Sequence, residues 1–356
     1  MRADQGTRVL AVPLLGERSG GVGQVSGLLQ RAMENAWPGQ TSVVRLLPDH
    51  RRSPTLIDKV SFGCSVNARQ MVRRARWILF AHLGLARVDR WVPRGLRAPY
   101  AVFLHGVEAW QPLSSADRDL LAGARLRIAN SQFTARRAAE ANPGIGPVEV
   151  CPLAFGSGAE TSGGPRGERR MVLVVGRMAA GERYKGHDEL ITAWPAVLRQ
   201  EPEAELVFAG DGDDRLRLEA LARATPGGAR IRFAGFVSRA ALEELYAEAA
   251  VFAMPSRNEG FGLVYLEAMA HRLPCVGSIH DAAGEVVLDG ETGLLVDAGH
   301  PQALAHAITT LLGDPALRRR MGDAGHARWR RLFTFAHFQS RMTSLLDAAF
   351  EAEVPA

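Results

Sequence analysis

The sequence predicts an α/β protein built from two doubly wound parallel sheets. Three observations lead there. Short apolar runs of strand length alternate with helix-periodic stretches along most of the chain. Glycine loops fall between such a strand and the helix after it. The pattern breaks once, at Gly156–Arg170 (GSGAETSGGPRGERR), a Gly/Ser-rich, charged and apolar-poor stretch, and then restarts. A length of 356 residues suits two domains of about 100–200 residues each. The expected division is 1–155, a linker at 156–170, a second domain at 171–330, and a helical segment at 331–356 that can pack on either domain, the N-terminal one being the expectation.

The elements follow in order. Arg8–Leu14 (RVLAVPL) reads as a buried strand, the glycines Gly16, Gly20, Gly21 and Gly23 as a loop, and Val25–Met33 as a helix. Apolar runs at Trp77–Ala81, Tyr100–Leu104 and Arg127–Ala129 supply further strands. After the linker come strands at Met171–Val175, Glu205–Ala209, Ile231–Ala234 and Val251–Met254. Between them lie helices near Glu189–Arg199, Arg215–Arg223 and Arg239–Ala249. A helix near Leu263–His271, the run Pro274–Gly277 and the segment Gly293–Asp297 complete the second domain, and Thr334–Glu353 is a last helix. A ligand crevice between the two domains is the expected site.

Composition narrows the class. The chain is 47% hydrophobic and 23% charged, as soluble globular proteins are. Its longest apolar run, Trp77–Leu85, is far short of the roughly 20 residues a membrane span needs. The start MRADQGTRVL has no apolar h-region, and Cys64, Cys151 and Cys275 are too widely spaced for a disulfide framework or a Cys-rich zinc site. A cytoplasmic setting is expected. The net charge of +5 hides an asymmetry: residues 1–150 hold 21 Arg/Lys against 11 Asp/Glu, and the rest is acidic. The densest basic stretch, Arg69–Arg97, has eight Arg and one Asp. It reads as a solvated basic face or as a peripheral contact with the inner, anionic face of a membrane. It contains no recognisable nucleic-acid module, so no nucleic-acid partner is expected. Of 43 basic residues only Lys59 and Lys185 are lysines. A compact ammonium cannot be exchanged for a guanidinium where a point charge must fit, which draws attention to Lys185.

Four local features carry candidate chemistry. Pro255–Leu263 (PSRNEGFGL) lies between a strand and a helix. Gly260 and Gly262 let the backbone approach a ligand, Phe261 sits between them, and a helix starting at Leu263 offers free N–H groups to phosphate. Glu259 enters from the loop, and Glu267 follows on the helix, where a carboxylate can accept from sugar hydroxyls. In Val175–His187 (VGRMAAGERYKGH), Arg177 ends a strand and Lys185 follows eight residues later, two cations suited to a diphosphate leaving group. In Leu104–Trp110 (LHGVEAW), His105 ends a strand and precedes a glycine. The glycines at Gly20–Gly23 would face the crevice from the N-terminal domain.

Taken together, these residues resemble the retaining glycosyltransferases of the GT-B fold, family 4 or group 1 type, in its bacterial exopolysaccharide and cell-envelope branch. The resemblance is carried by PSRNEGFGLVYLEAMA with Glu259 and Glu267, by Glu285–Val296 (EVVLDGETGLLV), by Arg177 and Lys185, and by the turn Gly210–Gly212. It is thinner in the first half: the glycine loop, His82 in FAHL, HGVEAW, and Asn130–Ser131. The chain departs from the family pattern at Ala283–Gly284 and at Pro152–Gly156.

The resemblance implies two Rossmann-like domains facing a central cleft, an EC 2.4.1.- hexosyltransferase activity and no cofactor or metal. Arg177 and Lys185 would contact the donor diphosphate. Glu259 and the backbone of Gly260, Phe261, Gly262 and Leu263 would hold the donor sugar and phosphates. Glu267 would contact the ribose, and Gly235, Phe236 and Val237 would lie near the base. His105 would stand by the donor sugar, with Gly20 and Gly21 closing over donor and acceptor. The donor would be GDP-mannose or a UDP-sugar. The acceptor would be a glycan, a lipid-linked glycan or a small molecule, as in secondary-metabolite glycosylation.

Rival readings are weaker. The run Asp211-Gly-Asp213-Asp214 invites a metal–diphosphate site, but acids at a helix start also answer the helix dipole. No G-x-G-x-x-G follows a strand, against a nicotinamide dehydrogenase, and neither lysine stands in a P-loop. A non-catalytic sugar-nucleotide-binding protein on the same fold remains the binding-module alternative.

Overall fold

A computed structural model describes residues 6–15, 20–47, 53–72, 75–156 and 170–351. The expected linker falls almost wholly outside these residues, as does Gly16 of the first glycine loop. The chain divides into two compact units, one formed by Met1–Ala154 with Phe335–Ala356 and the other by Phe155–Thr334.

The first unit holds six parallel strands: β1 (Arg8–Val12), β2 (Thr41–Arg45), β3 (Trp77–Phe80), β4 (Tyr100–Leu104), β5 (Leu126–Ala129) and β6 (Glu149–Val150). Their order is β2-β1-β3-β4-β5-β6, so the winding reverses between β1 and β3. β1, β3, β4 and β5 are buried along their whole length, as continuous apolar runs covered by helices on both faces require. β2 and β6 do not stand out in the sequence because they are edge strands with polar, half-exposed residues.

The first helix spans Gly20–Ala36, so Gly20, Gly21 and Gly23 form its opening turn rather than a loop ahead of Val25. The helix Leu56–Met71 starts on a capping box in which Thr55 and Asp58 satisfy each other's backbone N–H. The terminal helix Phe335–Phe350 belongs to this unit. Phe350 stacks on Trp77 at 5.1 Å, and Glu351 accepts from the Trp77 indole at 3.0 Å and from buried Arg8 at 3.0 Å.

The second unit has β7 (Met171–Val175), β8 (Glu205–Ala209), β9 (Ile231–Gly235), β10 (Val251–Ala253), β11 (Cys275–Ser278) and β12 (Gly293–Val296). The order β12-β11-β10-β7-β8-β9 is the doubly wound arrangement with its switch point between β7 and β10. Trp194, Phe208, Leu190 and Ile308 fill one side of the sheet. Helices Pro301–Gly313 and Pro315–Leu332 complete this unit. The carboxyl ends of β7 and β8 sit very close together. A Cβ on Gly210 would lie 1.9 Å from the Gly176 carbonyl oxygen, which only glycine avoids. The α/β class with two parallel sheets, expected from the strand pattern, is the architecture found.

Candidate active site

The switch point of the second unit brings two of the sequence features together. Arg177 follows the end of β7, and a short 3₁₀ segment, Ala180–Lys185, carries the chain to helix His187–Gln200. Glu182 sits between the two cations. Its carboxylate accepts from Arg177 Nε at 3.2 Å and pairs with Lys185 Nζ at 3.0 Å. Burial pushes the Glu182 carboxyl up, but Arg177 and Lys185 outweigh it and leave the group below its ordinary value. Tyr184 lies in the same cluster, its phenol pushed up to about 12 by burial, with Glu182 and Glu259 adding to the effect.

The loop after β10 meets this cluster. Gly186 has φ +87°, and a Cβ there would stand 2.6 Å from the Pro255 carbonyl oxygen. The Arg257 N–H donates to the Tyr184 carbonyl at 2.9 Å, and its guanidinium pairs with Glu189 at 3.3 Å. These contacts hold the Lys185 segment against the Glu259 loop. Burial raises the Glu259 carboxyl above its ordinary value, Lys185 opposes this, and Asp281 adds to it.

Asp281 anchors the loop. Buried between β11 and the short helix Ala283–Val286, it accepts from the Ser256 hydroxyl, from the Glu259 N–H at 3.1 Å and from the Ala283 N–H at 2.9 Å. Sequence reasoning missed it, because it lies 22 residues beyond Glu259 in no motif of its own. Its only signal was the Ser256 hydroxyl, which needed an acceptor.

Gly262 caps helix Leu263–Ala270 with φ +87°, and the Tyr265 ring would lie 2.4 Å from a Cβ there. Tyr265 in turn donates its hydroxyl to the Met254 carbonyl at 2.5 Å. The loop Glu259–Gly262 is therefore fixed at both ends, and the amino end of the helix, the positive end of its dipole, opens where the loop delivers it. Phe261 is buried, while Gly260 and Leu263 are partly exposed.

Glu267 is buried on the same helix. It accepts from the Tyr246 hydroxyl at 3.2 Å, and its carboxyl lies above its ordinary value through burial, with Arg239 opposing. His271 stacks on Tyr246 at 4.8 Å and bridges the Glu267 carbonyl to the Glu243 carboxylate. Gly235 ends β9 with φ +71°, and a Cβ there would stand 2.8 Å from the Arg215 guanidinium. Phe236 is exposed and Val237 half-buried just beyond it.

The acidic run has other work. Asp213 accepts from the Ala180 N–H at 2.8 Å. Asp214 begins helix Arg215–Ala224 and pairs with Arg183 at 2.8 Å and Arg217 at 2.6 Å, which hold its carboxyl well below the usual range. These contacts make it the structural turn that links the β7 and β8 loops. Among the described residues no three His, Cys, Asp or Glu side chains gather as a metal-binding group.

His187, buried next to Lys185 and against Phe208, is held down to about 4 by burial first and Lys185 second. Its folded-state pKa lies below the ordinary value of 6.5, so on acidification the unfolded chain takes up this proton first. The stability that neutral His187 supplies is present above about pH 6.5 and is lost as pH falls from there towards 4, about 3 kcal/mol in all. Denaturant melts at pH 7 and pH 4.5 are expected to show a markedly smaller acid loss in His187→Gln than in the unaltered chain. Equal losses would assign the acid sensitivity elsewhere.

The remaining candidates lie in the first unit. His105 follows β4, His82 follows β3, and Asn130 follows β5, so three neighbouring strands deliver them to one sheet end. His105 Nε2 is 2.6 Å from the Ala81 carbonyl oxygen. A carbonyl only accepts, so Nε2 carries a proton and donates to it. The Asn130 amide donates to the His105 carbonyl at 2.7 Å, and the His105 ring stacks on His82 at 5.7 Å. His82 Nδ1 accepts from the Gly84 N–H at 2.9 Å, and burial lowers its pKa. Gly20 has φ +64°, which favours glycine, and among the described residues no atom lies within 4 Å of where a Cβ on Gly20 or Gly21 would stand.

Two doubly wound parallel sheets, with two cations on one carboxyl-end loop and a glutamate–glycine loop ahead of a buried-glutamate helix on the next, are arranged as in the GT-B fold. Residues 160–328 match the model of the family of glycosyl transferases group 1. Over 156 residues the chain is 35% identical to the alpha-D-kanosaminyltransferase of Streptomyces kanamyceticus, covering 44% of this chain and 40% of that one. It is 36% identical over 166 residues to a GDP-mannose-dependent alpha-(1-6)-phosphatidylinositol monomannoside mannosyltransferase of Mycolicibacterium smegmatis, covering 45% and 43%. The match therefore spans less than half the length of these curated relatives. Among solved structures, sucrose-phosphate synthase of Thermosynechococcus elongatus superimposes with TM-score 0.80 at 22% identity, over 98% of this chain and 100% of that one. Anabaena HepE, solved with UDP and glucose, gives 0.78 at 19% identity, over 96% and 100%.

Proposed function

We propose that the protein is a retaining glycosyltransferase of family 4 that moves a hexosyl group from a nucleotide-diphosphate sugar to an acceptor hydroxyl. The observation that carries this reading is the meeting of Arg177, Lys185 and Glu259 at the switch point of the second unit. Two cations there answer the charge that develops on a departing diphosphate. The Glu259–Gly262 backbone and the amino end of the following helix add N–H donors to the phosphates and the donor sugar. Glu267, held by Tyr246, is the acceptor for ribose hydroxyls, with Gly235, Phe236 and Val237 beside the base.

Of the carboxylates in this cluster, Glu182 is bound to the cations, Asp281 to the loop, and Glu259 accepts from the Phe261 backbone with Lys185 nearby. That supports a front-face transfer in which the leaving phosphate helps to take the acceptor proton. Positive side chains meet the diphosphate charge in this reading, so the reaction is taken to need no metal and no cofactor. In this reading His105 serves the donor sugar, and Gly20 and Gly21 serve donor and acceptor.

The curated relatives named as GDP-mannose-dependent favour a GDP-mannose donor and cell-envelope glycan synthesis on a lipid-linked acceptor. The kanosaminyltransferase relative supports transfer of a different sugar, and with it the small-molecule alternative. Among the described residues no helix is long and apolar enough to cross a membrane.

Thermal melts with UDP, GDP, ADP and NAD, each in EDTA and then in magnesium, test the site. A ligand of the folded state at a hundredfold excess over its Kd stabilises by about 2.7 kcal/mol. A metal-independent rise with one of UDP, GDP or ADP is expected, and it names the donor to assay for transfer. A rise with NAD alone, or with none of them, overturns the reading.

A further inference from the structure

Behind the Glu267 helix lies a second set of charged groups. His271 closes helix Leu263–Ala270 and is buried. Both of its ring nitrogens meet acceptors: Nδ1 is 2.8 Å from the Glu267 main-chain carbonyl oxygen, and Nε2 is 2.5 Å from Glu243 Oε2. A carbonyl only accepts, so Nδ1 carries a proton. The other Glu243 oxygen pairs with the Arg239 guanidinium, so Glu243 is a carboxylate between two donors and Nε2 carries a proton as well. A ring with two N–H groups is the charged form of histidine. Two further features suit a cation there. The ring lies almost flat on Tyr246, with centroids 4.8 Å apart and 14° between the planes. It also stands at the carboxyl end of its helix, the negative end of the dipole.

Tyr246 passes this arrangement on to the Glu267 side chain. Fully buried on helix Arg239–Glu248, it donates its hydroxyl to Glu267 Oε2 at 3.2 Å. Burial first, and Glu267 second, raise the phenol well above its ordinary value, so the hydroxyl keeps the proton it donates. Burial also raises the Glu267 carboxyl, Arg239, the Tyr246 hydroxyl and His271 oppose this, and Glu243 adds to it. Arg239, Glu243, His271, Tyr246 and Glu267 are thus joined in turn by an ion pair, a charged hydrogen bond, a ring stack and a hydrogen bond. The series starts beside Ser238, which caps the helix following Gly235–Val237. Packing alone does not call for a charged ring in this place, because burying an ion is costly.

We propose that His271, held as an imidazolium, and Tyr246 are positioning residues for the ribose of the donor nucleotide. The imidazolium fixes the Tyr246 ring through its face and holds the helix end behind Glu267. The Tyr246 hydroxyl engages Oε2, which leaves Oε1 as the oxygen for the ribose hydroxyls. Both residues act through Glu267 and not by touching the nucleotide. The inference rests on the assignment of Glu267 to the ribose. A merely structural role predicts that loss of either residue weakens every ligand alike. A positioning role predicts a loss confined to ligands that carry the ribose hydroxyls.

The test is calorimetric titration of the full chain with UDP, GDP and ADP and with the 2′,3′-dideoxy form of each. The unaltered chain is expected to bind one ribonucleotide about tenfold or more tighter than its dideoxy form. Tyr246→Phe removes one hydroxyl and should weaken the ribonucleotide about tenfold while leaving the dideoxy form nearly unchanged. Glu243→Gln, at a half-exposed position, takes the charge from the Nε2 acceptor and should give a smaller loss of the same kind. In transfer assays both losses should fall on donor KM and leave kcat unchanged. Nitrogen NMR spectra of histidine-labelled protein should show at neutral pH a ring with two protonated nitrogens, assigned to His271 by its absence in His271→Gln. Thermal melts verify that each variant is folded at the assay temperature. If the unaltered chain binds ribo and dideoxy forms alike, or binds no nucleotide, the ribose assignment of Glu267 falls and this inference with it. If the unaltered chain discriminates and the folded variants discriminate equally well, the assignment stands and the inference alone is overturned. A His271 ring with a single proton also overturns it.

Discussion

Lys185→Ala is expected to lower sugar transfer by about 10²–10³-fold without unfolding the protein. The ammonium is largely buried, lies 3.0 Å from Glu182, and is close enough to hold down the raised carboxyl of Glu259. In the proposed reaction its attraction grows as charge passes to the leaving diphosphate, so the loss appears in kcat and not only in donor KM. Removing the side chain takes away that cation and leaves Glu182, bound then to Arg177 alone, facing the incoming phosphates. Arginine is not an adequate substitute, because the planar guanidinium does not fit where a point charge is held between two loops. Glu259→Ala should behave similarly from the opposite loop. Single-turnover transfer with matched thermal melts decides the matter. Near-normal turnover by both folded variants would remove this cluster from the chemistry.

Asp281→Ala is expected to destabilise the second unit by about 2–5 kcal/mol and to depress transfer together with it. The carboxylate accepts from two backbone N–H groups, those of Glu259 and Ala283, and from the Ser256 hydroxyl, in a site with little water. Alanine leaves the two N–H groups without an acceptor, while the hydroxyl can rotate to another partner. Asn has one acceptor oxygen and must turn its amide towards one of the donors, so Asp281→Asn should fall between the two. Urea melts measure the stability. Nucleotide binding measured well below the transition separates a displaced Glu259 loop from general unfolding. A variant with unaltered stability and binding would show that the loop holds its shape without this anchor.

Much of the second unit was legible in the sequence. Its strands are continuous apolar runs because helices cover both faces of the sheet, and such runs read directly. Gly186, Gly210 and Gly262 are glycines for local steric reasons, so they mark loops that approach another backbone or turn left-handed. The edge strands β2 and β6 were not legible, since half-exposed polar strands carry no apolar signature. Nor was the opening turn of the first helix, where glycines that usually signal a loop are tolerated at a helix start.

The sequence by itself determined the α/β class, the two sheets and the residues that gather at the β7–β10 switch point. These depend on short-range patterns: apolar periodicity, glycine placement and charge within about ten residues. Three things were decided only by tertiary structure. Asp281 became the anchor of the Glu259 loop, Glu182 came to bridge Arg177 and Lys185, and His271 came to stand between Glu243 and the Glu267 carbonyl. Each depends on which groups are left in contact once distant segments pack. A linear pattern does not encode that, because the partners are joined through space and selected by burial.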